Sequence, residues 1–251
     1  MKDFIRLDKY LAEMGEGTRS EIKEMARKGR IAVNGSVEKK TDRKVCPSED
    51  TVTVDGRTVA YAAYEYYMLH KPQGVVSATE DKTYTTVVEL IDERKRKDLF
   101  PVGRLDIDTE GLLILTNDGE LAHRLLAPKS HVDKVYYARV AGELPENAKE
   151  LVKAGLTLTD GTVTLPARLE IGEEIDGADG PLTEVLLTIR EGKFHQVKRM
   201  FESMGCRVVY LKRLSMGGLK LDESLKPGEY RPLTEKEVDS LRKASQERNR
   251  C

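Results

Sequence analysis

Cysteine is scarce, and the three present, Cys46, Cys206 and Cys251, are odd in number and widely spaced. That spacing argues against a disulfide framework and a zinc motif, and it suits a reducing cytoplasm. Net charge is almost absent at −1, so no global field draws the chain to nucleic acid, and such binding must come from local patches. No apolar run approaches membrane length, and Met1-Lys2-Asp3-Phe4-Ile5-Arg6 has no hydrophobic leader core. A soluble intracellular protein is the expectation. There is no Walker glycine loop, no Gly-x-Gly-x-x-Gly, no internal repeat and no low-complexity tract, so no cofactor is expected. The 251 residues suffice for one or two domains with a buried core.

What is abundant is charge, 34% of the chain, and it is segregated. Residues 18–44 carry nine Lys/Arg against four acids, and residues 190–213 carry seven against two. Residues 170–184 hold six acids and no base.

The chain is organised around Gly103-Arg104-Leu105-Asp106-Ile107-Asp108-Thr109-Glu110-Gly111, followed by the apolar run Leu112-Leu113-Ile114-Leu115 and the turn Asn117-Asp118-Gly119. Three acids on a glycine-bounded loop before a buried strand suit a nucleophile or a metal ligand. A calcium loop needs a bidentate Glu at its twelfth position, which here is Asn117, and apolar strand intervenes. No metal is expected. A phosphatase-type aspartyl nucleophile would want Asp-x-Asp-x-Thr after a hydrophobic strand, whereas Thr109 follows Asp108 directly.

Along the chain, Leu7, Tyr10, Leu11 and Met14 form the stripe of a short helix, ended by Gly15 and Gly17. Thr18 and Glu21 make a capping box for a second helix, which buries Ile22, Met25 and Ala26 and aligns Arg19, Lys23 and Arg27 on a neighbouring face. Ile31, Val33, Val37, Val52 and Val54 form a small β section with turns at Asn34-Gly35 and Asp55-Gly56. Val59 to Glu65 reads as a linker. Strands are expected at Tyr66–His70, Leu112–Leu115, Lys134–Val140, within 157–169, at Glu184–Ile189 and at Val208–Leu211. Helices are expected around Val87–Ile91, from Asp118 to Leu126, at 146–154, over Val197–Met204, and from Thr234 to Lys243 with a Thr234/Glu237 capping box. A charged loop spans 92–98, and a polar tail runs from Ala244 to Cys251.

Arg6-Leu7-Asp8-Lys9-Tyr10-Leu11, Gly17-Thr18-Arg19-Ser20 and Gly29-Arg30-Ile31-Ala32-Val33-Asn34-Gly35 resemble an S4 RNA-binding module. Lys71-Pro72-Gln73-Gly74, the Gly103–Gly119 loop, Lys134-Val135-Tyr136 and Glu191-Gly192-Lys193-Phe194-His195-Gln196-Val197-Lys198-Arg199-Met200 then resemble, in order, the RsuA-type branch of pseudouridine synthases, with RluB, RluE and RluF. The resemblance implies an α+β protein: an S4-like α/β module at 1–60, and a catalytic domain at 61–251 (core 66–233) on a mixed, mostly antiparallel sheet. It implies an enzyme that isomerises one uridine of 16S rRNA. The alternatives are a 23S rRNA enzyme of the same branch and a non-catalytic RNA-binding assembly factor.

By the same resemblance Asp106 is the nucleophile, Lys198 its paired cation, and Tyr136 the ring that stacks on the flipped base or assists proton transfer. Arg104 holds a phosphate or fills the gap the base leaves. Arg19, Lys23, Arg27, Lys28, Arg30, Lys71 and Arg199 are the expected RNA contacts. His195 is left out of the chemistry, and Asp108 and Glu110 are read as loop scaffolding. The implied partner is ribosomal RNA in a small-subunit assembly intermediate, bound by a monomer without cofactor, metal or membrane.

Overall fold

The computed structural model describes residues 4–246, so the end of the polar tail and Cys251 lie outside the described residues. The chain divides into two compact units. One runs to Glu65 and takes in Asp92–Leu99; the other holds Tyr66–Ile91 and resumes at Phe100.

In the first unit β1 (Ile5–Arg6) leads straight into α1 (Leu7–Glu13). α2 (Arg19–Arg27) follows, opened by a complete capping box in which Thr18 Oγ1 accepts from Glu21 N–H and Glu21 accepts from Thr18 N–H. Then come β2 (Ile31–Val33), β3 (Ser36–Val37), β4 (Lys44–Val45), β5 (Val52–Val54) and β6 (Arg57–Thr58). β4 pairs with β1, and the others form a sheet in the order β3-β2-β5-β6. Asn34 and Gly35, like Asp55 and Gly56, all have positive φ, which the two-residue hairpin turn demands and which these residue types tolerate. Leu7, Leu11, Ile22 and Ala26 of the helices bury completely against Ile31, Val33 and Val52 of the sheet.

Two segments join this unit against expectation. Residues 59–65 are not a free linker. Val59 is buried and accepts from the Tyr10 hydroxyl at 2.7 Å, and Tyr61 packs on Tyr10 while its hydroxyl donates to Glu13. Apolar side chains in that segment give it something to bury. The charged loop after Ile91 is held by the buried Arg96 guanidinium, which reaches Glu13 and Asp98, while Glu65 accepts the Lys95 and Arg96 backbone N–H groups.

The second unit contains β7 (Tyr66–Lys71), β8 (Phe100–Pro101), β9 (Glu110–Thr116), α3 (Gly119–Leu126), a 3-10 turn (Pro128–Ser130), β10 (Lys134–Ala141) and α4 (Ala148–Ala154). It continues with β11 (Arg168–Gly177), β12 (Gly180–Ile189), α5 (Gln196–Ser203), β13 (Arg207–Met216), β14 (Leu219–Lys220), β15 (Tyr230–Pro232) and α6 (Glu235–Ala244). The sheet runs β11-β12-β10-β13-β9-β7-β15, with β14 on β13 and β8 on β9. Its pairs are antiparallel except β9 with β13, so the fold is α+β on a mixed sheet.

Leu112 to Leu115 are each fully buried, which is why β9 reads as an unbroken apolar run rather than an alternating one. Leu112 and Ile114 meet Met68, Leu121, Leu125, Met216 and Leu241 in one core. Gly111, the second residue of β9, has φ +108°, and a Cβ there would lie 2.3 Å from the Arg213 carbonyl oxygen. Only glycine lets β13 approach this closely.

Two element readings are corrected, and a third element was not anticipated from sequence. Residues 87–91 form turns rather than a helix: Thr86 and Glu89 exchange capping-type bonds, but Val76 pairs with Thr86 and the chain leaves the unit after Ile91, so no second turn can form. Within 157–169 a single bridge, Thr157 with Val163, precedes β11. The acid-rich stretch is most of the β11–β12 hairpin; its acids on β11 are solvent-exposed while Glu184 on β12 is tied to Tyr137 and Arg139, and the charge pattern hid β11.

Candidate active site

Residues 103–109 connect β8 to β9, and buried contacts fix their backbone. Leu105 is buried, and its N–H and C=O both bond the Ser77 hydroxyl, at 3.0 and 2.8 Å. Thr109 N–H closes a turn on the Asp106 carbonyl, and Gly74 N–H donates to Ile107. The strongest tether is Lys71, at the end of β7. It is fully buried, and its Nζ donates to the carbonyls of Pro72, Asp106 and Thr109, each at 3.0 Å. Burial pushes this ammonium down to about 8, although Asp108, Asp106 and Glu110 pull the other way. That placement does not fit the RNA contact expected of Lys71, because its charge points into the loop and not to solvent.

With the main chain held, the Asp106 carboxylate is left 27% exposed and faces α5. Lys198 Nζ stands 3.3 Å from Asp106 Oδ2 and 2.5 Å from Asp108 Oδ1, so one ammonium serves two acids. Burial pushes the Asp108 carboxyl up, but the hydrogen bond and charge of Lys198 outweigh it and hold the group below its ordinary range. Asp108 is thus part of the charge arrangement as well as of the loop. Glu110 accepts from the Tyr210 hydroxyl at 2.6 Å, which ties the start of β9 to β13.

α5 delivers Lys198 because Val197, Met200 and Phe201 are buried and set the helix rotation. His195 caps it in a left-handed conformation, φ +46°, and turns its Nε2 to 3.6 Å from Asp106 Oδ1. Gln196 is buried and clamps the approach, accepting from Lys193 N–H and donating to Glu191. His195, set aside from the chemistry on sequence, and Gln196, not singled out there, both belong to this site. The available signal was their position in the helical turn that carries Lys198.

Arg104, Leu105, Asp106, Thr109, Tyr136 and His195 line a cavity of about 70 Å³, with Ile189 and Leu211 in its apolar wall. Tyr136 is buried on β10, while Arg104 and His195 at the rim are exposed. The hollow is small, and its exposed lining groups stand at the solvent side. A larger cavity of about 550 Å³ lies against Val135, on the opposite face of β10 from Tyr136. Its lining lacks the Asp106 loop, so size alone does not locate the chemistry.

The structure therefore brings Arg104, Asp106, Tyr136 and Lys198 together. Arg199, on the same helix, instead bridges Asp160 at 2.5 Å and donates to the Phe194 carbonyl. The other basic residues belong to the first unit. Arg19, Lys23 and Arg27 are exposed and without an ion pair among the described residues on α2. Lys28 pairs with Glu24, and Arg30 forms a two-pronged bond with Asp55.

A family profile described as RNA pseudouridylate synthase matches residues 65–203, and one described as S4 domain matches residues 5–52. The chain is 47% identical to a Bacillus subtilis protein named uncharacterized RNA pseudouridine synthase YtzG, over 94% of this chain and 98% of that protein. It is 41% identical to ribosomal small subunit pseudouridine synthase A of Vibrio vulnificus, over 94% of this chain and 99% of that one. A solved pseudouridylate synthase superposes with a TM-score of 0.64 at 38% identity, covering 94% of this chain and 99% of its own.

Proposed function

Because the chain belongs to the RNA pseudouridylate synthase family, we propose that it converts one uridine of small-subunit (16S) ribosomal RNA to pseudouridine, acting as a cytoplasmic monomer on a subunit assembly intermediate. The target class is supported by the relatives of Vibrio and Haemophilus named ribosomal small subunit pseudouridine synthase A, which match nearly end to end.

The observation that carries the reading is Asp106: a carboxylate on a backbone pinned by Lys71, faced by the Lys198 ammonium, at the mouth of a hollow walled by Tyr136. The Lys198 ammonium, 3.3 Å from Asp106 Oδ2, holds the carboxylate in place beside the cavity. The uridine is lifted from its helix into the cavity. Asp106 acts on it while the C1′–N1 bond breaks. The uracil turns against the Tyr136 ring and rejoins through a C1′–C5 bond; N1 gains a proton and C5 loses one. The reaction is an isomerisation, with no net oxidation and no energy input.

Arg104, exposed at the rim, holds the phosphate beside the flipped nucleotide or fills its place in the stack. Arg19, Lys23 and Arg27 supply sequence-independent phosphate contacts from the S4 domain.

RNA labelled with tritium at uracil C5 tests the chemistry. The expected result is release of one equivalent from immature small subunits and none with Asp106→Asn. Mapping pseudouridines in a strain lacking the protein tests the target. Loss of a position in large-subunit rRNA, with the small subunit unchanged, would overturn the assignment.

A further inference from the structure

Phe194 is the most exposed large hydrophobic side chain among the described residues, at 72%. It is also next to the site, since the Nε2 of its neighbour His195 lies 3.6 Å from Asp106. Single exposed hydrophobics are ordinary on protein surfaces, so exposure alone says little. Here the ring is held. It stacks on the His195 imidazole, 3.8 Å between centroids and 19° between planes. The backbone beneath is fixed by Arg199, which donates to the Phe194 carbonyl from its guanidinium and to the His195 carbonyl from its N–H, and by Gln196 bonded to Lys193 N–H. One face of the phenyl ring is covered by the imidazole, and the other faces solvent one ring beyond the residue that touches the aspartate.

We propose that the outer face of Phe194 is a stacking platform for the nucleobase adjacent to the uridine that enters the Asp106 cavity. The inference rests on the reading that an RNA uridine is handled at Asp106. Lifting that uridine leaves its neighbour with an uncovered face, and an aromatic ring presented at the mouth of the cavity replaces the lost stack. Every base has a π-face, so the platform tolerates sequence and positions the strand rather than reading it. It carries no charge, so its contribution is separable from the phosphate contacts by salt.

The chain contains no tryptophan, so Phe194→Trp installs a single reporter. Its emission is expected to be quenched as a small-subunit rRNA fragment saturates the protein, with saturation followed independently by filter retention. Phe194→Ala is expected to raise KM for that fragment by roughly 5- to 150-fold, the usual effect of removing one base-stacking ring. kcat should stay within about twofold, and the slope of affinity against salt should not change. Phe194→Tyr should restore KM, whereas Phe194→Leu, which keeps apolar bulk without a π-face, should not.

An unquenched tryptophan at full RNA saturation would overturn the platform, as would a leucine variant with wild-type KM. Turnover by the wild-type protein tests the functional reading separately, because the tryptophan signal depends on RNA seated at the site and not on conversion.

Discussion

Replacing Lys71 by methionine tests whether this residue is an RNA contact or an internal brace. Methionine keeps most of the length and removes the ammonium, leaving the carbonyls of Pro72, Asp106 and Thr109 without their donor. Hydrogen bonds from a charged donor contribute roughly 1.5–3 kcal/mol each. Against that stands the cost of burying the ammonium. Its fall from 10.5 to about 8 corresponds to about 3 kcal/mol returned when the charge is deleted. The net destabilisation is therefore on the order of 2–6 kcal/mol, well short of the sum of the three bonds.

The functional effect is expected to be larger, because the freed carbonyls belong to the loop that aims Asp106, and a displacement of about 1 Å at a reacting group costs roughly 100-fold in rate. Urea unfolding gives the stability change, and tritium release at saturating RNA gives kcat. Filter retention gives the affinity, expected to stay within a few-fold. If affinity collapses while kcat at saturation survives, Lys71 binds RNA and the brace is wrong.

Four further outcomes follow from the same geometry. Lys71 and Lys134 are both pushed down to about 8 by burial. Between roughly pH 8 and 10.5 the unfolded chain holds protons there that the folded chain has released, so these groups make stability rise with pH across that window; urea midpoints that fall steadily from pH 8 to 10 after subtracting the other titrating groups would contradict this. Gly111→Ala places a methyl 2.3 Å from the Arg213 carbonyl at φ +108°, so a loss of more than about 4 kcal/mol is expected; a melting temperature within a few degrees of wild type would show that β13 can retreat. Lys198→Met removes the ammonium that contacts both Asp106 and Asp108 and should lower kcat by roughly 100- to 1,000-fold. Asp108→Asn should cost much less, since Lys198 then turns wholly to Asp106; equal losses in the two variants would mean that both acids act on the substrate.

Most of the local structure was legible because its causes are local. The capping boxes of Thr18 with Glu21 and of Thr234 with Glu237 close over three residues, and Asn34-Gly35 and Asp55-Gly56 supply positive φ wherever the chain takes them. The apolar run after Gly111 declared a strand buried on both faces. The same locality produced the errors. A helix read from four apolar residues at 87–91 had no room for a second turn, and solvent-facing acids in β11 concealed a hairpin.

The charge pattern of residues 66–71 does not tell that Lys71 points inward. That follows from β7 lying against β9, with Lys71 opposite Gly111, so that the ammonium meets the carbonyls of the preceding loop. Nor does helical spacing on α5 reveal that Lys198 leans on acids ninety residues earlier in the chain. Periodicity specifies which face of an element is buried. Which distant element covers that face is decided when the whole sheet assembles, because only then are the low-dielectric contacts available that set the partners of each charge. The sequence alone determined most of the elements and the acid loop, and its resemblance named Lys198 as the partner of Asp106; the tertiary structure decided that Asp108 shares this cation, that Lys71 braces the loop from within, and that His195 stands beside them.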